Sequence, residues 1–314
     1  MSDWTISDIP DQTGRRAVVT GPNSGVGYET SLALAGAGAE VVLAGRNEPK
    51  GRDALARIRD VHPRAKVRFE LLDLASLGSV AAFSGRLAAE GAPIDLLVNN
   101  AGVMGLPARQ TTEDGFERQF QTNYLGHFAL TGRLLPLLRR GHAPRVVSLG
   151  SLAARPAAIN FDDLQGERTY APYRAYQQTK LATLMFAFEL QRRSDANGWG
   201  LLSNAAHPGW AMTNIFTNGP GTQANKLMKW VAKTVSPVFG QPSAAGALPV
   251  LYAATSPDAQ PAGYYGPTGL IELKGPPGPA KVPAQANDAG VAARLWEVSE
   301  RLTGVTFETA RMAM

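Results

Sequence analysis

The sequence predicts an α/β fold, a doubly wound parallel sheet with helices on both faces, and three observations carry that prediction. Short apolar runs alternate with helical patterns from about residue 15 to 207. A glycine-rich turn lies directly between the first apolar run and the first helical stretch. No linker interrupts the alternation, so one domain over 1–314 is expected, with a core at about 15–207 and a C-terminal elaboration at about 208–314. Strands that alternate with helices of this length build βαβ units and a parallel sheet covered on both faces.

The elements follow in order. RRAVVT is the first strand, with a helix to about residue 37; EVVLAG is the second, with a helix to about 60; KVRFELLDL and another helix come next. IDLLVNN leads into a long helix at about 112–139, PRVVSLG into the connection before a helix at about 171–193, and GLLSNAA closes the alternation. Beyond it lie a Pro-Gly turn, a loop and an amphipathic piece at 226–235. The Pro/Gly-dense stretch 261–283 has apolar anchors at Tyr264, Tyr265, Leu270 and Ile271, which predict one short strand and then packed irregular chain. A last helix is expected at about 288–302.

Composition narrows the function. With 44% hydrophobic and 18% charged residues the chain has ample core for a globular protein. Zero cysteines exclude a disulfide framework, a zinc-thiolate site and a catalytic thiol. The net charge of +5 is spread out, with basic groupings no longer than pairs such as Arg139-Arg140, so no nucleic-acid partner is expected. Mild basicity suits an anionic cofactor instead. The polar N-terminus lacks a signal-peptide pattern, and no apolar run reaches the ~20 residues of a membrane span. A cytoplasmic protein without stable membrane insertion is expected. His62, His127, His142 and His207 show no ligand spacing, which points to structural or surface roles and to no metal.

The turn after the first strand reads Thr20-Gly21-Pro22-Asn23-Ser24-Gly25-Val26-Gly27 and opens a helix. Glycines there allow a tight turn, close approach of a pyrophosphate to bare backbone and close helix packing, while the helix N-terminus offers free N–H groups. The spacing is TGxxxGxG, and it resembles the glycine motif of the short-chain dehydrogenase/reductase family, a Rossmann-like fold. Further motifs carry the resemblance over about residues 15–255: Asp73-Leu74 ending the third strand, Asn99-Asn100-Ala101-Gly102 ending the fourth, and Pro208-Gly209 with Thr213 after the sixth. The resemblance implies that these positions line the adenine and nicotinamide sides of the cofactor.

Tyr176 and Lys180 stand at i and i+4 on one helical face. A phenol that exchanges protons near neutrality must come down by about three units from about 10, and a neighbouring cation acts in that direction. Ser151, in Val146-Val147-Ser148-Leu149-Gly150-Ser151-Leu152-Ala153, resembles the family's catalytic serine, with Gly150 departing from the family's usual Ser and Ser148 as the outside alternative. Asn123, in Asn123-Tyr124-Leu125-Gly126, completes an Asn–Ser–Tyr–Lys tetrad by resemblance. That resemblance implies Tyr176 as acid/base, Ser151 on the substrate oxygen, Lys180 on the nicotinamide ribose and Asn123 on a water path. The connection at 160–173 and Ala44-Gly45-Arg46-Asn47 resemble the retinol dehydrogenase-like branch.

An NAD enzyme presents an acid to the ribose 2′-hydroxyl at the end of the second strand, where Gly45 stands here. Arg46, with Ser24 or Asn47, instead suits a 2′-phosphate, so NADP(H) is the expected cofactor. The expected partner is a small-molecule carbonyl or alcohol, bulky and apolar, enclosed by a lid over about 210–239 that includes Trp210, Met212, Ile215, Phe216, Leu227, Met228, Trp230 and Val231. Relatives of this kind imply a homodimer or homotetramer. Two other readings compete: a protochlorophyllide reductase-like C=C reductase, against which the missing cysteines count, and a non-catalytic NADP-sensing regulator, against which the full tetrad counts.

Overall fold

The computed structural model describes residues 3–210 and 240–307. Among the described residues, eight strands form one sheet in the order β3-β2-β1-β4-β5-β6-β7-β8. They are β1 (Arg16–Thr20), β2 (Glu40–Gly45), β3 (Val67–Leu71), β4 (Leu96–Asn99), β5 (Arg145–Leu149), β6 (Leu202–Ala206), β7 (Tyr264–Pro267) and β8 (Pro277–Pro279). All neighbours are parallel except β7 and β8. Strand order reverses between β1 and β4, which opens a crevice at their carboxyl ends, where open sheets of this kind bind ligands.

The inner strands are apolar on both sides because helices cover both faces. α1 (Gly25–Gly36), α2 (Glu48–Val61) and α7 (Ser243–Thr255) lie on one face, joined to the sheet through Leu34, Ile58, Val250 and Leu251. α3 (Leu77–Glu90), α5 (Gly126–Leu138), α6 (Pro172–Asn197) and α8 (Ala289–Thr303) cover the other through Phe83, Phe128, Phe186 and Trp296. Phe307, beyond α8, sits 4.4 Å from the Trp296 ring and 5.0 Å from Phe128, centroid to centroid. Among the described residues no helix is long and apolar enough to cross a membrane.

Three expectations change. The long helix expected from 112 begins only at α4 (Arg118–Phe120), because Thr111 bridges to Glu117 and the Glu117 carboxylate caps the Gln119 and Phe120 amides. α4 then passes through a π-helical turn, Gln121–Leu125, into α5. The stretch 261–283 yields two short strands rather than one, since β8 turns back antiparallel on β7. α7 was not expected; it carries Gly246 and Pro249 and is apolar all round, so it shows no amphipathic stripe. The expected lid, including Thr213 and the apolar residues from Met212 to Val231, lies outside the described residues, Trp210 excepted.

Candidate active site

The cradle begins where β1 ends. Gly21 (φ 66°) and Gly25 (φ 61°) adopt the left-handed backbone that glycine takes without strain, turning the chain into α1. A Cβ on Gly27 would stand 2.3 Å from the Gly21 carbonyl and 2.4 Å from Asn100 Nδ2, so bare backbone is required there. Asn100 Nδ2 donates to the carbonyls of Thr20 (2.7 Å) and Gly21 (3.1 Å) and fastens the turn to the end of β4. Ser24 stands at the N-cap of α1 without a capping side-chain bond, and Val26 is buried beneath the turn. A glycine-lined turn on a helix with no acid in its first turn fits a dinucleotide pyrophosphate.

Around that turn the expected contacts divide. Arg46 is exposed beside Gly45, and a Cβ at Gly45 would meet Asn23 Oδ1 at 3.5 Å, so Gly45 and Asn23 are neighbours. Asn47 is the N-cap of α2, its Oδ1 accepting from the Lys50 amide at 2.9 Å. Asp73 holds a turn by accepting from the Ala75 amide at 3.0 Å, and Leu74 is buried in the core with its carbonyl against Gly126. Arg57 is a cation that the sequence reading missed. It reaches back from α2 to the Asn23 carbonyl (3.0 Å) and lies 4.1 Å over the Tyr28 ring.

The four tetrad residues come from three segments. Ser151 follows β5, where its Oγ accepts from the Ala153 amide at 3.2 Å. Tyr176 and Lys180 lie one turn apart on α6, both buried, with Lys180 Nζ 5.8 Å from the Tyr176 ring centroid. Lys180 Nζ donates to the Leu149 carbonyl at 2.7 Å. Asn123, inside the π turn, pairs with Val103 like a ladder rung: Oδ1 accepts from its amide (2.7 Å) and Nδ2 donates to its carbonyl (2.9 Å). Asn123 Nδ2 also donates to Thr179 Oγ1 on α6 at 3.1 Å. A Cβ on Gly102 would start 3.3 Å from Asn123 Oδ1 and 3.9 Å from Lys180 Nζ, so Ala101-Gly102 runs between the two.

Burial pushes the Tyr176 phenol up to about 12, against a lowering influence of the neighbouring Ser151 hydroxyl and with a further raising one from Tyr173. Burial also brings the Lys180 ammonium down to about 8. The protein's own side chains therefore keep the phenol protonated at neutral pH, the reverse of the lowering expected from the pair. Ser148 is buried within β5, opposite Asn99, and lies below the site. Gly150 is explained by Tyr264: a Cβ there would stand 3.2 Å from its Cε2 and 3.4 Å from its hydroxyl.

The Pro208-Gly209 turn is clamped after β6. Gly209 (φ 61°) donates its amide to His207 Nδ1 at 3.2 Å, and Gln241 Nε2 donates to the Pro208 carbonyl at 2.7 Å. His207 is fully buried and meets Glu272 at 3.0 Å, while Arg155 grips the same carboxylate at 2.7 Å. Ile271 (φ 48°) and Glu272 (φ 61°) are strained to reach it.

A model of the short chain dehydrogenase family matches residues 15–223. The chain is 40% identical to mouse (Mus musculus) polyprenol dehydrogenase over 310 residues, covering 96% of this chain and 88% of that one. It is 39% identical to human (Homo sapiens) retinol dehydrogenase 13 over 305 residues, covering 95% and 87%. A solved structure of an uncharacterized protein from Mycobacterium paratuberculosis is similar with a TM-score of 0.80 and 37% identity, covering 98% of this chain and all of that one. Fold, motif order and these similarities agree: the chain belongs to the short-chain dehydrogenase/reductase family, in its retinol dehydrogenase-like branch.

Proposed function

We propose that the protein is an NADP(H)-dependent oxidoreductase that transfers a hydride between nicotinamide and a carbonyl or alcohol of a bulky, apolar substrate. The observation that carries this reading is the meeting of buried Tyr176 with Ser151, Lys180 one helical turn away and Asn123 tied to α6. The glycine turn on α1 would hold the pyrophosphate, Arg46 the 2′-phosphate, and Lys180 with Pro208-Gly209 the nicotinamide end. When bound, the dinucleotide supplies the hydride donor or acceptor.

The side chains supply the rest. Ser151 holds the substrate oxygen, and Tyr176, protonated at neutral pH, gives its proton to that oxygen in reduction. In oxidation the phenol must first lose its proton, which burial opposes, so the alcohol-oxidising direction should gain rate as pH rises. Two relatives are named for alcohols, polyprenol and retinol, and Tyr173, 55% exposed and 6.2 Å from Tyr176, offers an apolar face beside the site. Both support a bulky apolar substrate.

The test is an NADPH-consumption screen over aldehydes, ketones and quinones of graded size, repeated with Tyr176→Phe. Turnover that falls by at least 10²-fold, with NADPH affinity within a few-fold, is expected. A variant keeping more than about a tenth of wild-type kcat would remove Tyr176 as the acid/base.

A further inference from the structure

His127 lies outside the tetrad, yet it joins the cofactor cradle to Asn123. Its ring is buried, with Nε2 2.9 Å from Thr20 Oγ1 at the end of β1 and Nδ1 3.0 Å from the Asn123 carbonyl in the π turn. Thr20 Oγ1 in turn accepts from the amides of Asn100 (2.9 Å) and Ala101 (3.0 Å). One hydroxyl and one imidazole thus connect three segments that converge on the site.

Chemistry fixes where the protons sit. A carbonyl can only accept, so His127 Nδ1 must carry hydrogen. Burial brings the imidazole down to about 4, which leaves it neutral with a single N–H. Nε2 is then a bare lone pair and takes the Thr20 hydroxyl proton. Thr20 Oγ1 accepts from the Asn100 and Ala101 amides and gives its one proton to the shorter of two acceptors, His127 Nε2 at 2.9 Å, the Val98 carbonyl lying further off at 3.3 Å. The donations run one way, from the Asn100 and Ala101 amides through Thr20 and His127 to Asn123, and bonds aligned in this manner polarise one another.

We propose that His127 is a positioning residue, held as the Nδ1–H tautomer, which sets the Asn123 backbone from one ring nitrogen and the turn of the cofactor cradle from the other. The role extends the proposed dehydrogenase reading only in its kinetic arm.

Two measurements test it. The chain has four histidines, so 15N-histidine labelling with long-range 1H–15N correlation resolves each ring. His127 should carry hydrogen on Nδ1 and none on Nε2. His207 is the internal reference, because its Nε2 faces the Glu272 carboxylate and its Nδ1 accepts from Gly209, the opposite tautomer. An Nε2–H His127 overturns the proposal whether or not the protein turns over any substrate. The second measurement separates the two ends. His127→Asn keeps a donor near the Nδ1 position, and His127→Gln keeps an amide near the Nε2 position. With the best carbonyl the wild type reduces, His127→Asn should weaken NADPH binding at least five-fold with kcat within two-fold. His127→Gln should lower kcat at least ten-fold with NADPH affinity within two-fold. Equal losses of both quantities in both variants, or a lower Tm with neither changed, would reduce His127 to packing. Should neither variant fold, the tautomer measurement decides alone.

Discussion

Lys180 is held in the fold at a cost that its chemistry explains. Its ammonium, ordinarily protonated up to 10.5, is brought down to about 8 by burial with one carbonyl as partner. The sign follows from linkage. Below pH 8 the charged form is carried in both states and the fold bears the whole penalty; the penalty shrinks as pH rises from 8 to 10.5, where the unfolded chain also loses its proton. Its size is on the order of 3 kcal/mol. Lys180→Met should therefore be more stable than wild type at pH 7 in urea unfolding, with the advantage fading by about pH 10, while activity is lost. A variant less stable at pH 7, or an advantage independent of pH, would mean that the Leu149 contact outweighs the burial of charge. Arg46 offers the second test at this scale. It is exposed beside Gly45, where no acid repels a phosphate, so Arg46→Ala should cut the NADPH-over-NADH ratio of kcat/KM by roughly ten- to hundred-fold, the worth of a charge-assisted contact. An unchanged ratio would pass the role to Arg57, which stands by the same loop at the Asn23 carbonyl.

Helix and strand ends tell which parts of this fold were legible. Thr20 to Gly27, Tyr176 and Lys180 were readable because their spacing alone places them, one on a strand-to-helix turn and the others on one helical face. The start of the central helix was not, since its cap is a buried Glu117 whose partners become visible only once the chain turns at 112–116. α7 was hidden for a different reason: packed beside α1 on the same face of the sheet, it has no polar face to mark a period. Gly150 looked like a departure without cause, because Tyr264, which occupies its space, arrives from β7 far along the chain. The π turn is the local feature with most bearing on the site, since Asn123 lies inside it, and such turns occur often at functional sites. Gly126 anchors its end: a Cβ there would stand 2.4 Å from the Leu74 carbonyl. Gly126→Ala should destabilise the protein by about 1–3 kcal/mol in chemical unfolding and lower kcat as well. Loss of stability with full kcat would show that the turn tolerates displacement.

Across the whole molecule, the last described segment is not an appendage. Trp296 of α8 is fully buried and stacks on Phe186 of α6 at 5.7 Å, while Arg193 of α6 lies 4.4 Å from the Trp296 ring. The elaboration thus shares a core with the helix that carries Tyr176 and Lys180. Trp296→Ala should cost about 3–5 kcal/mol, and the loss should appear in a single transition by both far-UV circular dichroism and tryptophan fluorescence. Two separated transitions would mean that α8 unfolds on its own. The sheet that this core supports ends in β8, and there the pairing has a further effect. The Thr268 amide donates to the Pro276 carbonyl (2.9 Å) and the Ala280 amide to that of Tyr264 (2.8 Å), so even-numbered positions face β7. Pro277 and Pro279 then turn their nitrogens outward, and neither has a hydrogen to offer. At the other end, β3 shows charged Arg68 and Glu70, each held in an ion pair. A long parallel sheet carries the risk of growing by recruiting strands from other molecules, and this one is closed to such growth by proline on one flank and by charge on the other.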